Sequence, residues 1–148
     1  MKMTNQMIVI VKGVIEHQGK ILLLQRSVHD EVGAGEWETV GGGVEFGEEL
    51  EEALIREAEE ETGLQVKVEK LLYATTFFTD PHRQIVLLCY WCKAPSNLVS
   101  ISEEHSNYHW ASKAETYHYL PKAILEDFKN NKVWEMMDSY AEVGAGGD

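Results

Sequence analysis

Residues 45–61 hold nine glutamates and one arginine, Arg56, and no other stretch constrains the chain as strongly. The segment carries eight of the chain's twelve net negative charges. It can be ordered only if something arranges or neutralises its carboxylates. The apolar residues between them suggest how. On a wheel of about 100° per residue with Leu54 at zero, Leu50 falls near −40°, Ala58 near +40° and Ala53 near −100°. That is the core-facing stripe of a helix predicted over 48–62 and ended by Gly63 at its C-terminal cap. On the same wheel Glu61 lies at about −20°, Glu57 at about −60° and Glu60 at about −120°. These three stand on or beside the apolar stripe, while Glu48, Glu52, Arg56 and Glu59 fall on the far, solvated side. A surface helix ordinarily keeps its acids away from its apolar face.

Residues spaced i, i+3, i+4 on a helix are neighbours about 5–6 Å apart. At an effective dielectric near 20, each close carboxylate pair repels by roughly 3 kcal/mol, and by under about 1 kcal/mol when fully solvated. Either the glutamates take up protons or a cation sits among them. Oxygen-only donors suit Mg²⁺, Mn²⁺ or Ca²⁺. The alternative is that the helix end lies at a sheet edge and its acids reach water. Gly41-Gly42-Gly43 directly precedes the acidic segment. Three glycines allow close backbone approach and offer carbonyl oxygens. Loop and helix together could hold a hydrated divalent ion and a phosphorylated ligand.

At 148 residues the chain has the length of one domain. With 44% hydrophobic and 26% charged residues it has globular composition, which excludes a disordered chain, a collagen-like repeat and a coiled coil. An acidic balance disfavours a nucleic-acid polymer as partner. The longest apolar run, Ile85–Cys92, is far shorter than a membrane span, and Met7–Val11 stops at Lys12, too short for a signal peptide. A cytoplasmic location with no membrane partner is expected. Cys89 and Cys92 lie within that apolar run. Residues three apart on a strand point to opposite faces, so they read as buried structural cysteines rather than a redox or zinc pair.

Strands are predicted at 7–16, 21–25, 37–40, 66–78, 84–93 and 107–110, with a second helix at 122–130 after Pro121. His17–Lys20 and Thr79–His82 are the hairpin turns. The order suggests a mixed sheet with helices packed on it.

The pattern Gly42-x5-Glu48-x7-Arg56-Glu57-Ala58-x-Glu60-Glu61-x-Gly63-Leu64 resembles the Nudix box, G-x5-E-x7-R-E-U-x-E-E-x-G-U with U apolar. Every fixed position matches. One departure is Val40, where many members carry proline before the glycines. The resemblance implies an α/β fold, the Nudix α/β/α sandwich with a mixed β-sheet and flanking helices. One domain is expected over 1–140, and the composition of 141–148 reads as a disordered tail. The resemblance also implies hydrolysis of a pyrophosphate linkage in a nucleoside diphosphate-X or nucleoside triphosphate, with Mg²⁺ or Mn²⁺ and an activated water.

By position in the box, Glu57, Glu60 and Glu61 would be metal ligands, with the Gly41 carbonyl a further one. Arg56 would orient a glutamate by a charge-assisted hydrogen bond. Glu48 would support that arginine or the metal. In MutT-like members a glutamate about this far before a tryptophan such as Trp110 is an extra ligand or the base, which makes Glu104 a candidate. Arg26 ends the second strand where some relatives contact substrate. Trp37, Phe77 and Phe78 either stack on a base or belong to the core. His29, His82, His105 and His118 show no metal-ligand spacing and read as surface or structural residues. The competing reading is a catalytically silent Nudix-like nucleotide-binding or regulatory domain, which would ordinarily lack some of the box residues kept here. Exposed edges of a mixed sheet could pair in a homodimer.

Overall fold

The computed structural model describes residues 4–30 and 32–146, with side chains through residue 140. The strands are β1 (Gln6–His17), β2 (Lys20–Arg26), β3 (Trp37–Glu38), β4 (Val40–Gly43), β5 (Lys67–Asp80), β6 (Arg83–Lys93) and β7 (His105–Ala111). The helices are α1 (Leu50–Thr62), α2 (Lys113–Tyr119), α3 (Lys122–Asn130) and α4 (Val133–Gly146).

The strands form one mixed sheet of seven. β1 pairs in parallel with β6 from Gln6 to Glu16, and β6 continues antiparallel into β5. The opposite edge of β1 is shared. The β1–β2 hairpin pairs only beside its turn, at Glu16↔Ile21 and His17↔Lys20, and then splays. The segment 37–43 fills the gap. β3 lies on β2 through Leu24↔Glu38, and β4 lies on β1 through Lys12↔Gly41 and Val11↔Gly42. The single short strand predicted at 37–40 is thus two strands, and Gly41-Gly42-Gly43 belongs to the second of them. Pairing with β1 holds these glycines extended where local sequence reads as a loop. The splay opens a cleft in the sheet.

Apolar residues cover both faces. Leu22 and Leu24 of β2 join Ala53, Leu54 and Ala58 of α1 in one core. Ile21 and Leu23 join Phe128 of α3 and Val133 of α4 in the other. β2 is therefore a continuous apolar run because it is buried on both sides. Cys92 lies in the first core and Cys89 in the second, on opposite faces as strand geometry requires. The result is the expected α/β/α sandwich.

α1 starts at Leu50, two residues after the predicted Glu48. Glu48 instead turns back, accepting from the Glu45 N–H and from Arg56. Gly63 caps the helix in the left-handed conformation at φ 74°, as expected. α2 and α4 were not anticipated. α2 opens on a capping box of Ser112 and Glu115. The backbone of 141–146, expected in the tail, continues α4, and 147–148 lie outside the described residues. Among the described residues no helix is long and apolar enough to cross a membrane.

Candidate active site

α1 presents its acids to the splayed end of the sheet in the order the wheel sets. The Glu61 side chain is 6% exposed, that of Glu57 16% and that of Glu60 60%. Each has its own means of tolerating its neighbours.

Arg56 serves Glu57, Glu48 and Glu60 at once. Its Nε and Nη2 donate to both oxygens of Glu48 at 2.7 and 2.9 Å. Its Nη1 donates to Glu57 at 3.0 Å and to Glu60 at 3.3 Å, and Nη2 also reaches the Gly43 carbonyl at 3.0 Å. Arg56 is therefore no solvated far-side residue. It folds across the helix because three carboxylates converge on its guanidinium. These contacts hold the Glu48 carboxyl down at about 2 and keep Arg56 above its ordinary range. Burial raises Glu57 despite the arginine.

Glu57 also depends on a glycine. A β-carbon at Gly42 would lie 2.5 Å from its carboxyl carbon. Only a bare α-carbon lets the carboxylate rest against β4. Gly41 is tighter still, with φ +150° and a β-carbon that would overlap the Val11 carbonyl.

Glu61 is held from two directions. Its Oε1 accepts the Gly41 N–H at 2.8 Å, and its Oε2 faces His105 Nδ1 at 3.6 Å. Burial pushes its carboxyl up to about 7, against the lowering influence of Lys12 and the Gly41 N–H. Behind it, His105 Nε2 lies 2.9 Å from Glu38 Oε2. Lys12 Nζ bonds the other Glu38 oxygen at 3.1 Å, with Arg26 Nη1 3.6 Å from that oxygen. Burial alone would raise Glu38, but the hydrogen bond from His105 and the charges of Lys12 and Arg26 outweigh it and hold the carboxyl at about 2.

These groups edge a cleft of about 860 Å³. Lys12, Arg26, Glu38, Gly41, Glu61 and Glu104 line it, together with the apolar side chains of Ile10, Leu87, Phe77 and Ile124. Glu60 borders a smaller depression on the outer side, with Glu61 and Glu104. Arg26, a candidate for substrate contact, lines the cleft while paired to Asp30 at 3.3 Å. Trp37, the other candidate, does not line it. Its ring packs edge-on against Tyr119 at 4.9 Å. Adjacent strand residues face opposite ways, so Glu38 of β3 points into the cleft and Trp37 away from it. Phe77 reaches the cleft and is 43% exposed, whereas Phe78 does not line it.

His105, read as surface or structural, is not at the surface: it is buried in the site, its side chain 2% exposed. Glu38 and Lys12 were not singled out at all. Only the position of His105 directly after Glu104 hinted at a role.

The NUDIX domain profile matches residues 4–130. The nucleoside triphosphatase NudI of Escherichia coli is 32% identical over 120 residues, spanning 74% of this chain and 85% of that relative. The MutT protein of Methanosarcina mazei Go1 superposes with a TM-score of 0.78 at 25% identity, covering 90% of this chain and 99% of the other. The ORF135 protein of E. coli superposes at 0.70 with 30% identity, over 92% and 94%.

Proposed function

The chain belongs to the Nudix hydrolase family and is a pyrophosphohydrolase, and from that premise we propose that it cleaves nucleoside triphosphates with Mg²⁺ or Mn²⁺. The convergence of Glu61 and Glu104 in one cleft that also presents Lys12 and Arg26 carries this reading. The similarity to nucleoside triphosphatases supports the substrate class.

The donor set fits a divalent ion. Ligand atoms of Glu61, Glu104 and His105 lie within 4.8 Å of one another. Bonds of about 2.0–2.1 Å to Mg²⁺ put opposed ligands of an octahedron about 4.2 Å apart, so small side-chain movements suffice. Glu57, Glu60, Glu61 and Glu104 would hold the ion or ions, with the Gly41 carbonyl as a further donor. A bound ion would supply charge neutralisation on the phosphate oxygens and favour ionisation of water.

The remaining work falls to the chain. Arg56 fixes Glu57 against Gly42. Glu57 would take a proton from the attacking water. Lys12 and Arg26 draw the triphosphate into the cleft, whose lining also includes the apolar Ile10, Leu87 and Ile124. The attacking oxygen bonds to phosphorus as one phosphoanhydride bond breaks, and the electron pair leaves with the departing phosphate or pyrophosphate.

The test is hydrolysis of a nucleotide panel with Mg²⁺ and with Mn²⁺, wild type beside Glu60→Gln, reading phosphate and pyrophosphate separately. Metal-dependent turnover of triphosphates that falls in the variant is expected. Turnover confined to nucleoside diphosphate derivatives would overturn the substrate class.

A further inference from the structure

Resting on the metal-dependent reading above, we propose that His105 is a direct nitrogen ligand, whose Nδ1 joins the Glu61 and Glu104 carboxylates in a mixed site suited to Mn²⁺ and related transition ions.

The hydrogen bonding of the imidazole is one-sided. Glu38, held ionised by Lys12 and Arg26, can only accept. The 2.9 Å contact therefore assigns the ring proton to Nε2. Nδ1 is left with a lone pair, and this atom is buried with no hydrogen-bond partner. A buried polar atom without a partner costs about 1–3 kcal/mol, so its presence calls for an explanation. The nearest acid does not provide one. At 3.6 Å the Glu61 oxygen is too far to be the hydrogen-bond partner of Nδ1.

A ring nitrogen of His105 and oxygens of Glu61 and Glu104 lie within 4.8 Å of one another, and Nδ1 is the ring atom that faces Glu61. A carboxylate on the distal ring nitrogen with an open lone pair on the proximal one is the usual arrangement of a metal-bound histidine. The carboxylate sets the tautomer and raises the basicity of the ligand. Lys12 and Arg26 anchor Glu38 in turn, so the imidazole is oriented before any ion arrives. The four glutamates alone favour a hard ion such as Mg²⁺. An imidazole among them tilts preference towards Mn²⁺, which accepts nitrogen more readily.

The experiment is pulsed electron paramagnetic resonance of the full chain loaded with Mn²⁺, prepared with natural-abundance and with ¹⁵N-labelled histidine. Direct coordination predicts ¹⁴N modulation that changes to the ¹⁵N pattern on labelling and disappears in His105→Gln. Mn²⁺ affinity in that variant should fall at least about tenfold, by analogy with losses at ligand-supporting residues. The exposed His118→Gln keeps the modulation. Bound Mn²⁺ with oxygen ligands alone in the wild type would overturn the proposal while leaving metal-dependent hydrolysis standing, and this arm needs no variant to fold. Modulation that survives in His105→Gln also overturns it. Nitrogen coordination without turnover of any nucleotide would keep the site and remove the proposed function.

Discussion

Arg56 and Glu48 are joined by two parallel hydrogen bonds of 2.7 and 2.9 Å across eight residues of chain, and this clamp ties the loop before α1 to the middle of the helix. Bidentate guanidinium–carboxylate pairs are stronger and more directional than single contacts. The same guanidinium bonds Glu57, so the clamp also sets where that carboxylate stands.

Arg56→Lys keeps the charge and loses the fork. Turnover should fall on the order of 10–100-fold, as for other residues that orient ligands. Steady-state kinetics at saturating metal checks this, and a variant with wild-type kcat would show that the clamp does not position Glu57.

Glu57→Gln should separate activity from stability. Turnover is expected to drop by about 10²-fold or more, as for loss of a general base. The metal-free protein should become no less stable, because one member of a like-charged cluster is gone. Chemical denaturation in EDTA beside the activity assay reads both effects, and loss of folding together with activity would contradict the assignment.

The two glycines of β4 should respond differently. Gly41→Ala sets a β-carbon against the Val11 backbone carbonyl at φ +150°, which should cost about 3 kcal/mol or more. Gly42→Ala meets the carboxylate end of the Glu57 side chain rather than backbone. That variant should fold and lose turnover, and melting curves beside kcat distinguish the pair.

Two shifts of opposite sign shape the pH dependence of the metal-free protein. The Glu61 carboxyl is raised from 4.5 to about 7, so its contribution is fully present below pH 4.5 and is lost as pH rises through about 7. Its size is on the order of 3 kcal/mol. Glu38 is lowered from 4.5 to about 2, so its contribution is present above pH 4.5 and is lost as pH falls through about 2. Urea denaturation in EDTA should show greatest stability near pH 4.5–5. Glu61→Gln should flatten the alkaline side only.

The thiols of Cys89 and Cys92 should be inert in the folded state. Both are buried, and burial pushes the Cys89 thiol up to about 12. A disulfide exchange reagent is expected to titrate neither in native buffer and both in denaturant.

Features that depend on short-range backbone geometry were legible in the sequence. The wheel of α1 ranked Glu61, Glu57 and Glu60 by burial, because helical period alone sets each angle to the apolar stripe. Strand alternation likewise sent Cys89 and Cys92 to opposite cores, and Gly63 announced the helix end. The box residues carried the family for the same reason, since their spacing lies within one loop and one helix. Pairing between distant segments was not legible. Nothing near Trp37 and Glu38 says which of the two faces the cleft, because that follows from how β3 seats on β2 in the gap left by the splayed hairpin. Nothing near His105 says that it meets Glu38 and Glu61, which lie 67 and 44 positions away. Local periodicity is a property of the chain itself. The partners of a buried side chain are chosen by long-range strand register, and only the assembled sheet contains that choice.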